Sequence, residues 1–293
     1  MEGLSVGDAF GQCFFGSVSN SEAKLAERIL PPATWFYTDD TVMALAILEV
    51  LAQKETVDQD RLAQLFADKY QAEPNRGYGG TAHRILRHIG EGMPWQQAAS
   101  QVFDGMGSIG NGGAMRAAPI GAYFYDDLDE VVRQATLSAE VTHSHLEGQA
   151  GAVAVALAAA YVQSRAGHER AASGREMLET AIKHTPESDT RSKLNKALAL
   201  PFTYSVQTAA SVLGNGMKLT SPDTVPFSLW CAARHLDHFE EALWTTVSGL
   251  GDRDTTCAIV GSIVILGHTL SAIPGEWLRR REELPLASPI SGV

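Results

Sequence analysis

Apolar residues recur three and four positions apart along most of the chain, with Ala, Glu, Gln, Lys and Arg between them. That period marks helices with one buried face. It predicts helices over 41–53, 56–69, 81–90, 95–105, 128–140, 147–164, 174–184, 190–199, 206–213, 226–236, 239–249 and 255–272. The strict alternation that marks half-buried strands is absent from the sequence, as is any internal repeat of solenoid length. The expectation is an all-α fold. One stretch, G-A-V-A-V-A-L-A-A-A-Y-V at 151–162, is apolar on every side. It is too short for a bilayer, which takes about 20 residues, and reads as a helix buried all round.

The 293 residues are 45% hydrophobic and 19% charged, enough for one compact domain over 1–293 with a sizeable core. The tail after Pro285 reads as loosely held. A net charge of −11 with no basic run argues against a nucleic-acid or anionic-membrane binder, while leaving room for a divalent cation. Three widely spaced cysteines (Cys13, Cys231 and Cys257) form neither a disulfide framework nor a zinc pattern, and fit a reducing compartment. The first residues carry no signal-peptide pattern. A cytoplasmic monomer is expected.

Glycine gathers at 3–11, 75–81, 105–116, 214–216 and 249–256. In a helical protein such clusters read as loops that bend sharply or approach a ligand, and the five are expected to converge on one pocket.

Two of the predicted helices begin in the same unusual way. Thr38-Asp39-Asp40-Thr41 precedes the first, and Gly251-Asp252-Arg253-Asp254-Thr255-Thr256 precedes the last. Asp and Thr cap helix N-termini well, so two independent caps are one reading. Adjacent carboxylates at the edge of a core repel each other, however, and four of them with nearby hydroxyls make a hard oxygen shell. Such a shell suits two Mg²⁺ or Mn²⁺ ions. The glycines of the loop 107–113 read in the same way as the other clusters: a turn between helices, or a close approach to a ligand.

Asp-Asp-Thr early, G-N-G-G-A-M-R in the middle, T-H near the centre and G-D-x-D-T late occur in an order that resembles the ADP-ribosylglycohydrolase family. That family includes the dinitrogenase reductase-activating glycohydrolase and the ADP-ribosylarginine and ADP-ribosylserine hydrolases. The resemblance implies a compact helical fold with two divalent cations, Mg²⁺ or Mn²⁺, at the base of an ADP-ribose cleft. It assigns Thr38, Asp39, Asp40, Asp252, Asp254 and Thr255 to the metals. It assigns Gly107, Ser108, Ile109, Gly110, Asn111, Gly112 and Gly113 to the diphosphate, and brings His143 to the ligand. His143, His145 and Glu147 crowd one helix start, but this is no standard zinc pattern.

Two positions depart from the family. Phe15 stands where many relatives carry a Glu on a flap over the metals, and Arg253 stands between the late aspartates where a small residue is usual. The resemblance implies hydrolysis of the C1″ bond linking ADP-ribose to a protein side chain, arginine first, with Asp40 or Asp254 accepting the proton. The implied partners are an ADP-ribosylated protein and ADP-ribose. A dinuclear phosphoester or pyrophosphate hydrolase and a weakly catalytic ADP-ribose-binding descendant are the alternatives.

Overall fold

The computed structural model describes residues 1–15, 25–168 and 171–285. The tail expected to be loosely held lies outside them. Among the described residues no strand forms beyond two isolated bridges, Trp35 with Arg281 and Gly110 with Thr220. The helices are, in chain order, α1 (Glu2–Gln12), α2 (Asp39–Lys54), α3 (Gln59–Ala72), α4 (Gly80–Gly90) and α5 (Trp95–Ser100). After these come α6 (Ala118–Tyr123), α7 (Leu128–Glu140), α8 (Leu146–Arg165), α9 (Gly174–His184) and α10 (Asp189–Ala199). The last five are α11 (Val206–Leu213), α12 (Ser221–Arg234), α13 (Phe239–Val247), α14 (Arg253–Val264) and α15 (Gly275–Arg280).

Helix α8 is the apolar stretch singled out above. Every residue from Gly148 to Val162 is buried. Its alanines let α6, α7, α9 and α12 pack close around it, so the helix without a polar face becomes the centre of the molecule. None of the helices among the described residues is long and apolar enough to cross a membrane.

The glycine cluster at 3–11 is not a loop. It is α1, packed along α14. Gly3, Gly7 and Gly11 lie four apart on one face, and a Cβ on each would stand 2.3, 2.1 and 2.2 Å from the carbonyl oxygens of Gly261, Cys257 and Arg253. The glycines permit backbone-to-backbone contact between the two helices, a use their spacing of four encodes. Beyond the stripe, Phe10 stacks on Trp277 at 4.5 Å and meets Trp244 edge-on at 4.9 Å, locking the end of α1 into an aromatic cluster.

Three boundaries also move. The helix expected over 95–105 stops at Ser100, because Phe103 and Asp104 take positive φ and turn the chain toward the cleft. Helix α12 begins at Ser221 rather than at Pro226, since a proline fits the first turn and Pro226 is carried inside. The last long helix ends at Val264 and continues as short 3₁₀ turns, Ile265–Gly267 and Leu270–Ala272.

Candidate active site

The two Asp-Thr helix starts meet. Asp39 and Asp40 at the beginning of α2, and Asp252, Asp254 and Thr255 at the beginning of α14, line one cleft of about 670 Å³. Gly77, Gly79 and Gly80 also line it, as do Gly107, Ser108, Ile109, Gly110, Asn111, Gly112 and His143. Four of the five glycine clusters therefore reach the cleft or its floor. At Gly216, φ is +89° and a Cβ would come within 2.5 Å of the Asp252 Cβ, so only glycine lets that turn support the acid. Thr38 and Gly113 are not among the cleft walls. Thr38 is held beneath them, and Gly113 packs on Ala139 and Ala152.

Helix capping falls to Thr38, whose hydroxyl accepts from the Asp40 N–H. The carboxylates that follow are left for another purpose. Oδ1 of Asp40 is buried and has no hydrogen-bond partner among the described residues. Asp252 stands at the N-cap of α14 without making a side-chain cap bond; its Oδ2 accepts from Asn111 Nδ2 at 2.6 Å instead. That bond joins the glycine-rich loop to the late acidic pair.

The residue missed in the sequence is Asp8. It lies on α1, fully buried, and its carboxylate accepts from Thr38 N at 2.9 Å, Thr38 Oγ1 at 2.8 Å, Thr41 N at 3.1 Å and Thr41 Oγ1 at 2.5 Å. Asp8 thus holds the chain turn that presents Asp39 and Asp40. The signal was its place inside the glycine stripe, which carries it down to the start of α14.

Burial raises all five acids. It lifts Asp8 to about 6 against the opposing hydrogen bonds from Thr41 and Thr38. Burial and then the neighbouring Asp8 push Asp39 to about 7. Asp40 and Asp254 rise well above the usual carboxylate range, from burial first and then from the surrounding acids. Burial raises Asp252 as well, opposed by its hydrogen bonds with Asp254, Asn111 and Thr255. The buried guanidinium of Arg116 is the cation that acts on Asp39. Crowded acids, an unpartnered carboxylate oxygen and hard oxygen donors fit divalent cations. Among the described residues, though, no three His, Cys, Asp or Glu side chains close around one point.

The glycine-rich loop offers fewer free N–H groups than seven. Those of Gly107, Gly110 and Asn111 already donate to Val102 O, Ser108 Oγ and Leu219 O. The histidine-rich stretch separates into distinct tasks. His143 lines the cleft, its pKa pushed down to about 3 by burial and then by Arg116. His145 caps α8 by accepting from Glu147 N at 3.0 Å, and Glu147 caps α10 by accepting from Thr190 N at 3.2 Å. Arg253 is not a cleft wall. Its guanidinium donates to the Phe14 carbonyl and lies 5.4 Å over the Phe15 ring.

A family model for ADP-ribosylglycohydrolases matches residues 1–290. The chain is 29% identical to mouse (Mus musculus) ADP-ribosylhydrolase ARH3 over 272 residues, covering 83% of this chain and 72% of that one. It is also 29% identical to the human (Homo sapiens) ARH3, over 83% of this chain and 73% of the other. A protein of Archaeoglobus fulgidus is 31% identical over 94% of this chain and 88% of its own. A solved structure described as an ADP-ribosylglycohydrolase-related protein complex superposes with a TM-score of 0.67 at 26% identity, covering 96% of this chain and 89% of that one. The acidic helix starts, glycine-rich loop and cleft histidine are thus found in a chain that belongs to the ADP-ribosylglycohydrolase family and is an enzyme of its hydrolase class.

Proposed function

We propose that the protein hydrolyses the C1″ glycosidic bond between ADP-ribose and a modified protein side chain, and releases ADP-ribose. The observation that carries this reading is the meeting of two acidic helix starts, a glycine-rich loop and His143 in one cleft. The same cleft has an apolar wall that includes Phe103, Ile109 and Leu219, a face suited to a flat base. Asp39, Asp40, Asp252, Asp254 and Thr255 would hold two divalent cations, with Thr38 supporting them from below. When bound, those ions supply Lewis-acid polarisation and lower the pKa of a water. Asp40, at its unpartnered Oδ1, or Asp254 accepts the proton. The remaining carboxylates stabilise positive charge developing on the ribose. The three cysteines are free, in keeping with work in the reducing cytoplasm.

Release of free ADP-ribose from an ADP-ribosylated peptide, with and without Mg²⁺ or Mn²⁺, is the test. AMP and ribose phosphate as products would establish a pyrophosphatase instead. Binding of ADP-ribose without any release would mark a non-catalytic relative.

Arginine is the linkage we propose first. A protonated guanidine is a better leaving group than an alkoxide, and Phe15 leaves the flap position without a carboxylate to assist. Phe15 is not a cleft wall, and Arg253 lies over its ring. Arginine-linked peptide is expected to release ADP-ribose faster than serine-linked peptide at equal concentration under both metals. Faster serine release under both would overturn the preference and leave the hydrolase reading intact.

Gly112→Val is expected to weaken ADP-ribose binding about tenfold or more while leaving metal content unchanged. A Cβ at Gly112 stands 3.2 Å from His143 Cε1, and the branched side chain would fill the space beside the imidazole. Calorimetric titration with ADP-ribose reads the effect. Equal affinity in the two proteins would make the loop a turn and nothing more.

A further inference from the structure

Arg116, Thr142 and His143 line the same cleft, and Arg116 is fully buried in its wall. Its ring-stacked guanidinium lies 4.5 Å over Phe66, and Nη2 donates to Ser138 O at 3.0 Å and to Thr142 Oγ1 at 2.8 Å. Thr142 Oγ1 in turn stands 2.7 Å from His143 Nδ1. A guanidinium has donors only, so Thr142 accepts from Arg116. Thr142 is 3% exposed, and its hydroxyl has one hydrogen to give. The sole partner left for that hydrogen among the described residues is His143 Nδ1. Were Nδ1 protonated, the hydroxyl would accept twice and its own hydrogen would be buried unused, an arrangement native interiors avoid.

We infer that Arg116 and Thr142 are positioning residues that fix His143 as the neutral tautomer with its proton on Nε2, aimed into the cleft as a hydrogen-bond donor for an oxygen of the bound nucleotide. Nε2 has no hydrogen-bond partner among the described residues. It lies 3.1 and 3.5 Å from where side chains at Gly110 and Gly112 would begin, so it faces the glycine-rich loop. Burial and the adjacent guanidinium keep the ring from charging. A neutral donor of fixed direction selects acceptor oxygens without adding a charge that the nearby acids would draw away. The relay also gives Arg116, a costly buried charge, a task beyond balancing Asp39.

The clause concerning the nucleotide rests on the function proposed above; the tautomer does not. Long-range proton–nitrogen spectra of the metal-free chain, which has nine histidines, assign His143 by comparison with His143→Gln. The expected pattern is Nε2 protonated and Nδ1 bare. Protonated Nδ1 overturns the inference whether or not ADP-ribose binds. Thr142→Val removes the hydroxyl at nearly constant volume and is expected to mix the tautomers and weaken ADP-ribose binding about five- to tenfold. Thr142→Ser restores the hydroxyl and should restore both the spectrum and the affinity. A folded Thr142→Val with the native tautomer also overturns the relay. Failure of the wild-type protein to bind ADP-ribose overturns the proposed function instead, and the spectrum alone then decides the relay.

Discussion

Asp252→Asn is expected to lower ADP-ribose release on the order of 100-fold or more and to remove at least one divalent ion per chain. The side chain lines the cleft, makes no helix cap and is fixed by Asn111, so its remaining role is to offer negative oxygen to whatever fills the acidic floor. Asparagine keeps the shape and one oxygen but loses the charge. It also turns an NH₂ group toward Asn111 or toward the ions. Metal analysis of the purified wild type, Asp252→Asn and an Asp39→Asn/Asp252→Asn double variant is the direct measurement, with turnover under Mg²⁺ and Mn²⁺ beside it. Unchanged metal content in the double variant would reduce the paired aspartates to structural residues and remove the basis of the dinuclear site. A loss of metal with unchanged turnover would separate the ions from the chemistry and sink the catalytic assignment.

The second large effect is at Asp8. Asp8→Ala strands the buried N–H groups of Thr38 and Thr41, each costing about 1–3 kcal/mol, while relieving repulsion with Asp39, Asp40 and Asp254. The expected net loss is about 2–4 kcal/mol of stability, together with loss of turnover because the turn presenting Asp39 and Asp40 is released. Denaturation curves in EDTA and in Mg²⁺ measure the first part. The same acids set the pH dependence. In the folded chain Asp8 titrates at about 6 and Asp39 at about 7, both above their ordinary 3.8. Between roughly pH 4 and 7 the native state therefore binds more protons than the unfolded state, and stability falls as pH rises. Metal-free protein is expected to melt at a lower temperature at pH 8 than at pH 5. Added Mg²⁺ or Mn²⁺ should raise the melting temperature more at pH 8, where the acids are ionised and free to bind. A melting temperature in EDTA that climbs from pH 5 to pH 8 would contradict the account. Asp8→Ala stability equal to wild type would show that Asp8 does not hold the turn.

The glycine stripe explains why an acid on the first helix reaches the turn that presents Asp39 and Asp40. Gly3, Gly7 and Gly11 bring α1 onto the backbone of α14, and Asp8 sits on the helix face next to that seam. Glycines that read as loop-formers in sequence serve here as helix-packing residues. Composition cannot distinguish the two uses, because both need the absence of a side chain and only the partner's position differs.

Period and motif order along the chain determined the helical class, most helix positions, the central buried helix and the acidic residues that line the cleft. Each of these depends on near neighbours: the 3–4 residue spacing of apolar side chains, the uniform apolarity of 151–162, and hydroxyls and carboxylates adjacent at a helix start. The shared Asp-Thr pattern of two helix starts also offered Asp39-Asp40 and Asp252-x-Asp254 as one oxygen shell, beside the reading as two separate caps. Tertiary structure decided the rest. It made Asp8 the anchor of Thr38 and Thr41, 30 and 33 positions away. It joined Asn111 to Asp252 across 141 positions, and turned Arg253 to the Phe14 carbonyl instead of the cleft. It also set His143 and His145 in the cleft wall and made helix caps of His145 and Glu147. The physical reason is common to all four. A hydrogen bond or a buried charge is resolved by whichever group packing brings within about 3 Å, and sequence separation carries almost no information about that distance.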